Sequence, residues 1–286
     1  MNTRTDLALE GVVSENLHEG ITQTKRGKAF KITEIVISED KHGEKIGKKK
    51  GRYITLEGGQ LSYFSENYKD MAEELAEELR AFIPDGAALV IGLGNNDITP
   101  DALGPQAASK ILATRHLKDE LSKEEEFLTS LRQVSVLATG VLGQTGIETA
   151  EIVNAVNAKI KPDAVIIIDA LACSDISRLG TTIQISDSGI SPGSGVQNKR
   201  KELSKDSLGI PVIALGVPTV VDMHTIVEAF SGEGVKPGLN NDSTPNMMVT
   251  PRDIDKLIER AARLISASVN LALHPEMDLD DVEMCT

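Results

Sequence analysis

Four stretches of this chain are apolar at nearly every position: ALVIGLG at 88–94, VSVLATG at 134–140, AVIIIDA at 164–170 and IPVIALGVP at 210–218. A strand with no polar side must be covered on both faces, and stretches of helical character at 101–115 and 146–159 alternate with these runs. The expected fold class is therefore α/β: an open, mostly parallel sheet with helices on both faces, phosphorylase/hydrolase-like, with an N-terminal β-hairpin as decoration. The hairpin is read from KITEIVI at 31–37 and RYITLEG at 52–58, which alternate apolar and polar residues at period two around a Gly/Lys-rich loop. A helix is expected over 65–82, opening on a Ser65 cap, carrying Met71, Leu75, Leu79 and Phe82 on one stripe, and stopped by Pro84-Asp85-Gly86. A second long amphipathic helix is expected over 253–273, with Leu257, Ala261, Leu264 and Ile265 inward. Without internal repeats, low-complexity stretches or linkers, residues 1–286 read as a single domain with a β-rich extension at about 25–64.

Composition removes several function classes. With 30 Lys+Arg against 43 Asp+Glu, a formal charge of −13, the chain lacks the positive surface that nucleic acid selects. No run of about 18 apolar residues suggests a membrane span, and the polar stretch 1–10 does not read as a signal peptide, so a cytoplasmic protein without a membrane partner is expected. Cys173 and Cys285 form neither a disulfide framework nor a CxxC pair, and both read as bystanders. The charge is unevenly spread. Residues 25–52 hold ten Lys/Arg against four Asp/Glu, which fits either a solvated hairpin loop or a patch that recruits an acidic partner.

In an open parallel sheet, ligands sit outside the carboxyl ends of the strands. Three segments there are polar enough for chemistry: GLGNNDITPDALGP at 92–105, TGVLGQTGIET at 139–149 and DALACSD at 169–175. The first lacks the third glycine of a dinucleotide loop, since Asp97 stands in its place, and no cofactor is expected. Thr99-Pro100 suits a helix start, where Asp101 would either cap the helix or serve chemistry. Asp169 closes an apolar strand and is harder to assign to capping. If the two strands are neighbours, Asp101 and Asp169 face each other across the crevice. Two carboxylates around one water cannot both ionise easily, so the pair can act as general base and general acid in hydrolysis. Main-chain amides of the Asn95-Asn96 or Gly143-Gln144 loops are candidates to steady the oxyanion.

Other constellations carry less. Gly193-Ser194-Gly195 lacks the strand-turn-helix setting of a nucleophilic serine, although Ser194 remains a candidate at the cleft wall. His224 can complete a metal site with Asp101 and Asp169, an alternative to the metal-free dyad. His18, His42, His116 and His274 read as surface or packing residues. The Gly-rich 186–195 suits a loop walling the cleft, with Lys199, Arg200 and Lys201 adding positive charge.

Taken in order, the strings RTDLALE, GLGNNDITPDALGP, TRHL, GQTGIET, IDALA, TIQISDSGISPGSGVQNKRKELS, LGIPVIALGVPTVVD, NNDSTPNMMVTPRDID and ALHP resemble the germination protease of spore-forming bacteria. The resemblance implies an endopeptidase that starts the degradation of small acid-soluble spore proteins during germination, inside the spore. It also implies synthesis as a zymogen, autoprocessing near the N-terminus, assembly as a homotetramer, and a fold similar to the hydrogenase-maturation endopeptidases. The family's proposed catalytic aspartates carry over to Asp101 in TPDALGP and Asp169 in IDALA. Competing readings are the metal-dependent peptidase using His224 and a non-catalytic module that binds spore proteins.

Overall fold

A computed structural model describes residues 5–14, 20–63, 65–117, 131–191, 201–223, 225–227 and 247–286. The elements used below are, in chain order, helix α1 (Ala8–Ser14), strands β1 (Ile21–Arg26), β2 (Lys31–Ile37) and β3 (Gly51–Glu57), helix α2 (Tyr68–Arg80), strand β4 (Ala88–Gly92) and helix α3 (Leu103–Ala108). They continue with β5 (Val134–Ala138), α4 (Thr149–Ile160), β6 (Ala164–Cys173), β7 (Thr182–Ser186), β8 (Val212–Asp222), β9 (Met248–Val249), α5 (Ile254–Leu273) and α6 (Leu279–Cys285).

These nine strands make one sheet in the order β1-β2-β3-β7-β8-β6-β4-β5, with β9 pairing to β8. The expected class holds: an open α/β sheet with helices on both faces. Its parallel part is confined to β5, β4, β6 and β8. The other half is antiparallel, because β7 joins β3 to β8 and makes the N-terminal hairpin continuous with the sheet. The hairpin itself pairs as the alternation at 31–37 and 52–58 predicts.

Pleating sorts the side chains by parity. Ile54 and Leu56 of β3, Val90 of β4, Ile166 and Ile168 of β6, Ile183 and Ile185 of β7, and Ile213, Leu215 and Val217 of β8 enter one large core. That core is covered by α2 through Met71, Leu75 and Leu79, by α3, and by α5 through Leu257, Ala261 and Ile265. Each fully buried aliphatic side chain contributes about 1.5–3 kcal/mol of burial. On the opposite face, Leu89, Ile91, Val165 and Ile167 meet Ala150 and Val153 of α4, while Ile35, Ile37 and Tyr53 meet α1. Between these two patches, the same face of β6, β7 and β8 presents Asp169, Gln184, Ser186, Ala214 and Gly216, which line a cavity.

The helical stretch expected over 101–115 is shorter than the pattern suggests. It divides into a 3-10 turn at Thr99–Asp101 and the six-residue α3. No helix among the described residues is long and apolar enough to cross a membrane. Much of the positive charge of 25–52 is matched locally: Arg26 pairs with Glu34 and Glu78, Arg52 with Glu34, Lys31 with Glu57, Lys41 with Glu39, and Lys49 with Glu202.

Candidate active site

Asp101 and Asp169 line the same cavity, of about 550 Å³. Asp169 reaches it from β6, and Asp101 from the 3-10 turn that follows the neighbouring strand β4. The parallel pairing of β4 with β6 ends at Gly92 opposite Ile168, and the next main-chain bond runs from Leu93 N–H to the Ile168 carbonyl at 2.9 Å. Beyond that point the chain after β4 turns away, while β6 continues to Cys173. Asp169 is the first β6 residue past the shared ladder, so a crevice opens beside it. The return of the chain is fixed by Gly104 at the start of α3. A Cβ on that residue would fall 2.2 Å from the Leu93 carbonyl oxygen and 2.5 Å from that of Ile168, so only glycine lets the helix approach so closely.

Both carboxylates are held by main-chain donors. The Asn95 N–H donates to Asp101 Oδ2 at 2.8 Å, and the Ala170 N–H donates to Asp169 Oδ1 at 2.9 Å. Asp169 is 7% exposed, and Asp101 is half-buried at the mouth of the turn. Such bonds fix the orientation of each carboxyl group. The Asn95 side chain accepts from the Asp97 N–H at 3.0 Å and from Gln144 Nε2 at 2.7 Å, and Gln144 also donates to Asp97 at 3.0 Å. The two loops singled out as oxyanion candidates thus meet each other. The Asn95 amide is engaged with Asp101, and Asn96, Gly143 and Gln144 are exposed. Ser194, His224 and the basic residues Lys199 and Arg200 lie outside the described residues, so the metal-dependent alternative and the Ser194 role have no geometry here.

Several lining residues were not singled out in the sequence. Asp6 pairs with the outer part of β6, its N–H donating to the Ala172 carbonyl at 2.9 Å and its Oδ2 accepting from the Ala172 N–H at 2.8 Å. Gln184 brackets the same segment, donating to the Asp6 carbonyl at 2.8 Å and accepting from the Ala8 N–H at 2.7 Å. Lys48 donates to the Thr5 carbonyl at 3.1 Å; burial pushes its ammonium below the usual lysine range, against the pull of Asp6 and Glu10. Burial likewise pushes the Tyr53 hydroxyl up to about 12, and it donates to the Lys49 carbonyl at 2.8 Å. The signal for Gln184 was present: TIQIS alternates at period two, placing Thr182, Gln184 and Ser186 on the face opposite Ile183 and Ile185. Asp6 and Lys48 carry no such local mark.

Fold and cavity together define a class, an open-sheet α/β protein with a cavity on one sheet face that two aspartates line, walled by loops at the carboxyl ends of its parallel strands. Residues 5–230 match the family described as germination protease. The chain belongs to that family, and so to the peptidases. It is 39% identical to the germination protease of Clostridium tetani, with 99% of this chain and 98% of the relative covered. The germination protease of Caldanaerobacter subterraneus is 42% identical, over 96% of this chain and 95% of the relative. That of Priestia megaterium is 39% identical, over 98% and 96%. Among solved structures, the NiFe hydrogenase maturation protease HycI from Thermococcus kodakarensis matches with a TM-score of 0.38 and 19% identity, covering 67% of this chain and 98% of that one.

Proposed function

We propose that this protein is an endopeptidase that begins the degradation of small acid-soluble spore proteins during germination, and that it activates water between Asp101 and Asp169. One carboxylate takes a proton from the water as its oxygen attacks the peptide carbonyl. The other, protonated, gives its proton to the carbonyl oxygen; the first then delivers the proton taken from water to the leaving amide nitrogen, and the second takes its proton back from the gem-diol hydroxyl as the C–N bond breaks. One water is consumed, and a new carboxyl and a new amine are released.

The observation that carries this reading is that Asp169 of β6 and Asp101, in the turn after the neighbouring parallel strand β4, line one cavity. Asp6, which lines the cavity and pairs through its main-chain N–H with the Ala172 carbonyl of β6, favours a substrate bound as open chain along that strand rather than as a folded surface. Family resemblance supports three further parts of the reading: synthesis as a zymogen, assembly as a homotetramer, and action in the spore interior.

The test is to incubate the purified protein with a small acid-soluble spore protein and resolve the products. Discrete fragments with matching new termini are expected. An intact substrate after exposure to folded protein would contradict the proposal and favour a binding module.

A further inference from the structure

The pairing of β6 with β8 slips once. Leu171 stands opposite Pro218, but the next residue, Ala172, stands opposite Val220, which leaves Thr219 as the extra residue on β8. Pro218 has no N–H for the ladder, and a proline within a sheet is tolerated at such a bulge. Bulges commonly re-aim a side chain beside an active site. Here the re-aimed group is a hydroxyl: Thr219 Oγ1 donates to the Pro100 carbonyl at 2.7 Å, and Thr219 is only 1% exposed. Pro100 is the middle residue of the 3-10 turn that ends in Asp101. The Thr219 carbonyl is itself held, accepting from Thr250 Oγ1 at 2.8 Å.

We infer that Thr219 is a positioning residue for Asp101, tying the turn that carries this carboxylate to the strand paired with the one that carries Asp169. The inference rests on the dyad reading above. Asp169 stands opposite Gly216 on β8, three positions before Thr219, so a short stretch of hydrogen-bonded strand links one carboxylate to the tether of the other. Asn95 fixes the Asp101 side chain, whereas Thr219 fixes its main chain. Without the hydroxyl, the Pro100 carbonyl loses its link to the sheet and the separation of the two carboxylates is no longer set.

The test compares Thr219→Val, which keeps shape and loses the hydroxyl, with Thr219→Ser, which restores it, and with Asp101→Asn, on a small acid-soluble spore protein as substrate. Thr219→Val is expected to lower kcat by about ten- to a hundredfold, the scale of a small misplacement, with KM within about twofold. Its pH–rate profile shifts, and Thr219→Ser recovers most of kcat. Wild-type kcat in Thr219→Val, or a loss that serine does not restore, overturns the inference when Asp101→Asn is inactive. Wild-type cleavage by Asp101→Asn overturns the dyad reading and the inference together. Should Thr219→Val not fold, Thr219→Ala removes the same hydroxyl and is judged against Thr219→Ser by the same criteria.

Discussion

Asp169 faces Gly216 across the β6–β8 pairing, and a methyl group built on that glycine would lie 2.4 Å from the Asp169 carbonyl oxygen and 2.7 Å from Leu171 Cγ. A main-chain oxygen cannot swing aside as a side chain can. Gly216→Ala is expected to cost about 1–3 kcal/mol, the range for overpacking, and to shift Asp169 in the cavity. Thermal unfolding should show a lowered midpoint, and peptidase activity should fall further than the unfolded fraction explains. An alanine variant with native stability and activity would show that β6 and β8 separate more easily than their pairing implies.

Glu10 fastens α1 to the loop after β6. Its carboxylate accepts from the Ser174 N–H at 2.8 Å, the Ser174 hydroxyl at 2.6 Å and the Asp175 N–H at 3.0 Å, with Arg178 at 3.7 Å. Glu10→Ala leaves these donors without their acceptor at a site 8% exposed, and is expected to destabilise by about 1–3 kcal/mol. Glu10→Gln keeps an acceptor and should lose less. Denaturant unfolding of the two variants checks the order, and equal loss in both would contradict it.

His274 supplies a pH dependence. The ring is fully buried, neither nitrogen has a hydrogen-bond partner among the described residues, and burial lowers its pKa from the ordinary 6.5, opposed by Glu276 and aided by Arg132. The unfolded chain therefore binds a proton at higher pH than the folded one. The stability is present above the unfolded value and is lost as pH falls below it toward the folded value. Between about pH 7.5 and 5.5 the unfolding midpoint of the wild type should drop more than that of His274→Leu. Parallel pH profiles would contradict the assignment.

The two cysteines should separate by reactivity. Cys173 is completely buried, and burial, with Glu10 and Asp175 nearby, pushes its thiol up to about 12. Cys285 is exposed at the end of α6. A thiol reagent at neutral pH should label Cys285 in the native protein and Cys173 only after unfolding. Rapid native labelling of Cys173 would mean that the end of β6 opens.

What the sequence reveals here follows the range of the forces involved. The parallel strands were legible because burial on both faces leaves runs such as AVIIID without a polar position, and the hairpin because one-sided burial leaves period two. The same alternation in TIQIS marked β7 but was hidden in a longer polar string. Its polar face is buried against the N-terminal segment, a contact 176 residues away along the chain. The end of α3 was overestimated because residues after 108 continue an apolar pattern that serves loop packing, as at Ile111.

At the site, Asp101 and Asp169 were readable as acids close to the carboxyl ends of apolar runs, although Asp169 does not close its strand, because β6 runs on to Cys173 through its pairing with β8. Asp6, Lys48 and Thr219 were not, because each enters the cavity through a long-range partner or a register slip that leaves no local pattern. The Asn95-Asn96 and Gly143-Gln144 loops were singled out as amide donors; the hydrogen bond from Asn95 shows its amide already spent on Asp101.

The central claim is that Asp101 and Asp169 act as one unit on one water. It is tested most directly by single-turnover cleavage of a small acid-soluble spore protein by Asp101→Asn, Asp169→Asn and the double variant, each confirmed folded by its unfolding midpoint. Loss of general acid–base function should slow each single variant by at least about a hundredfold, and the double variant should be little slower than either. Cleavage at the wild-type rate by either folded single variant would contradict the account.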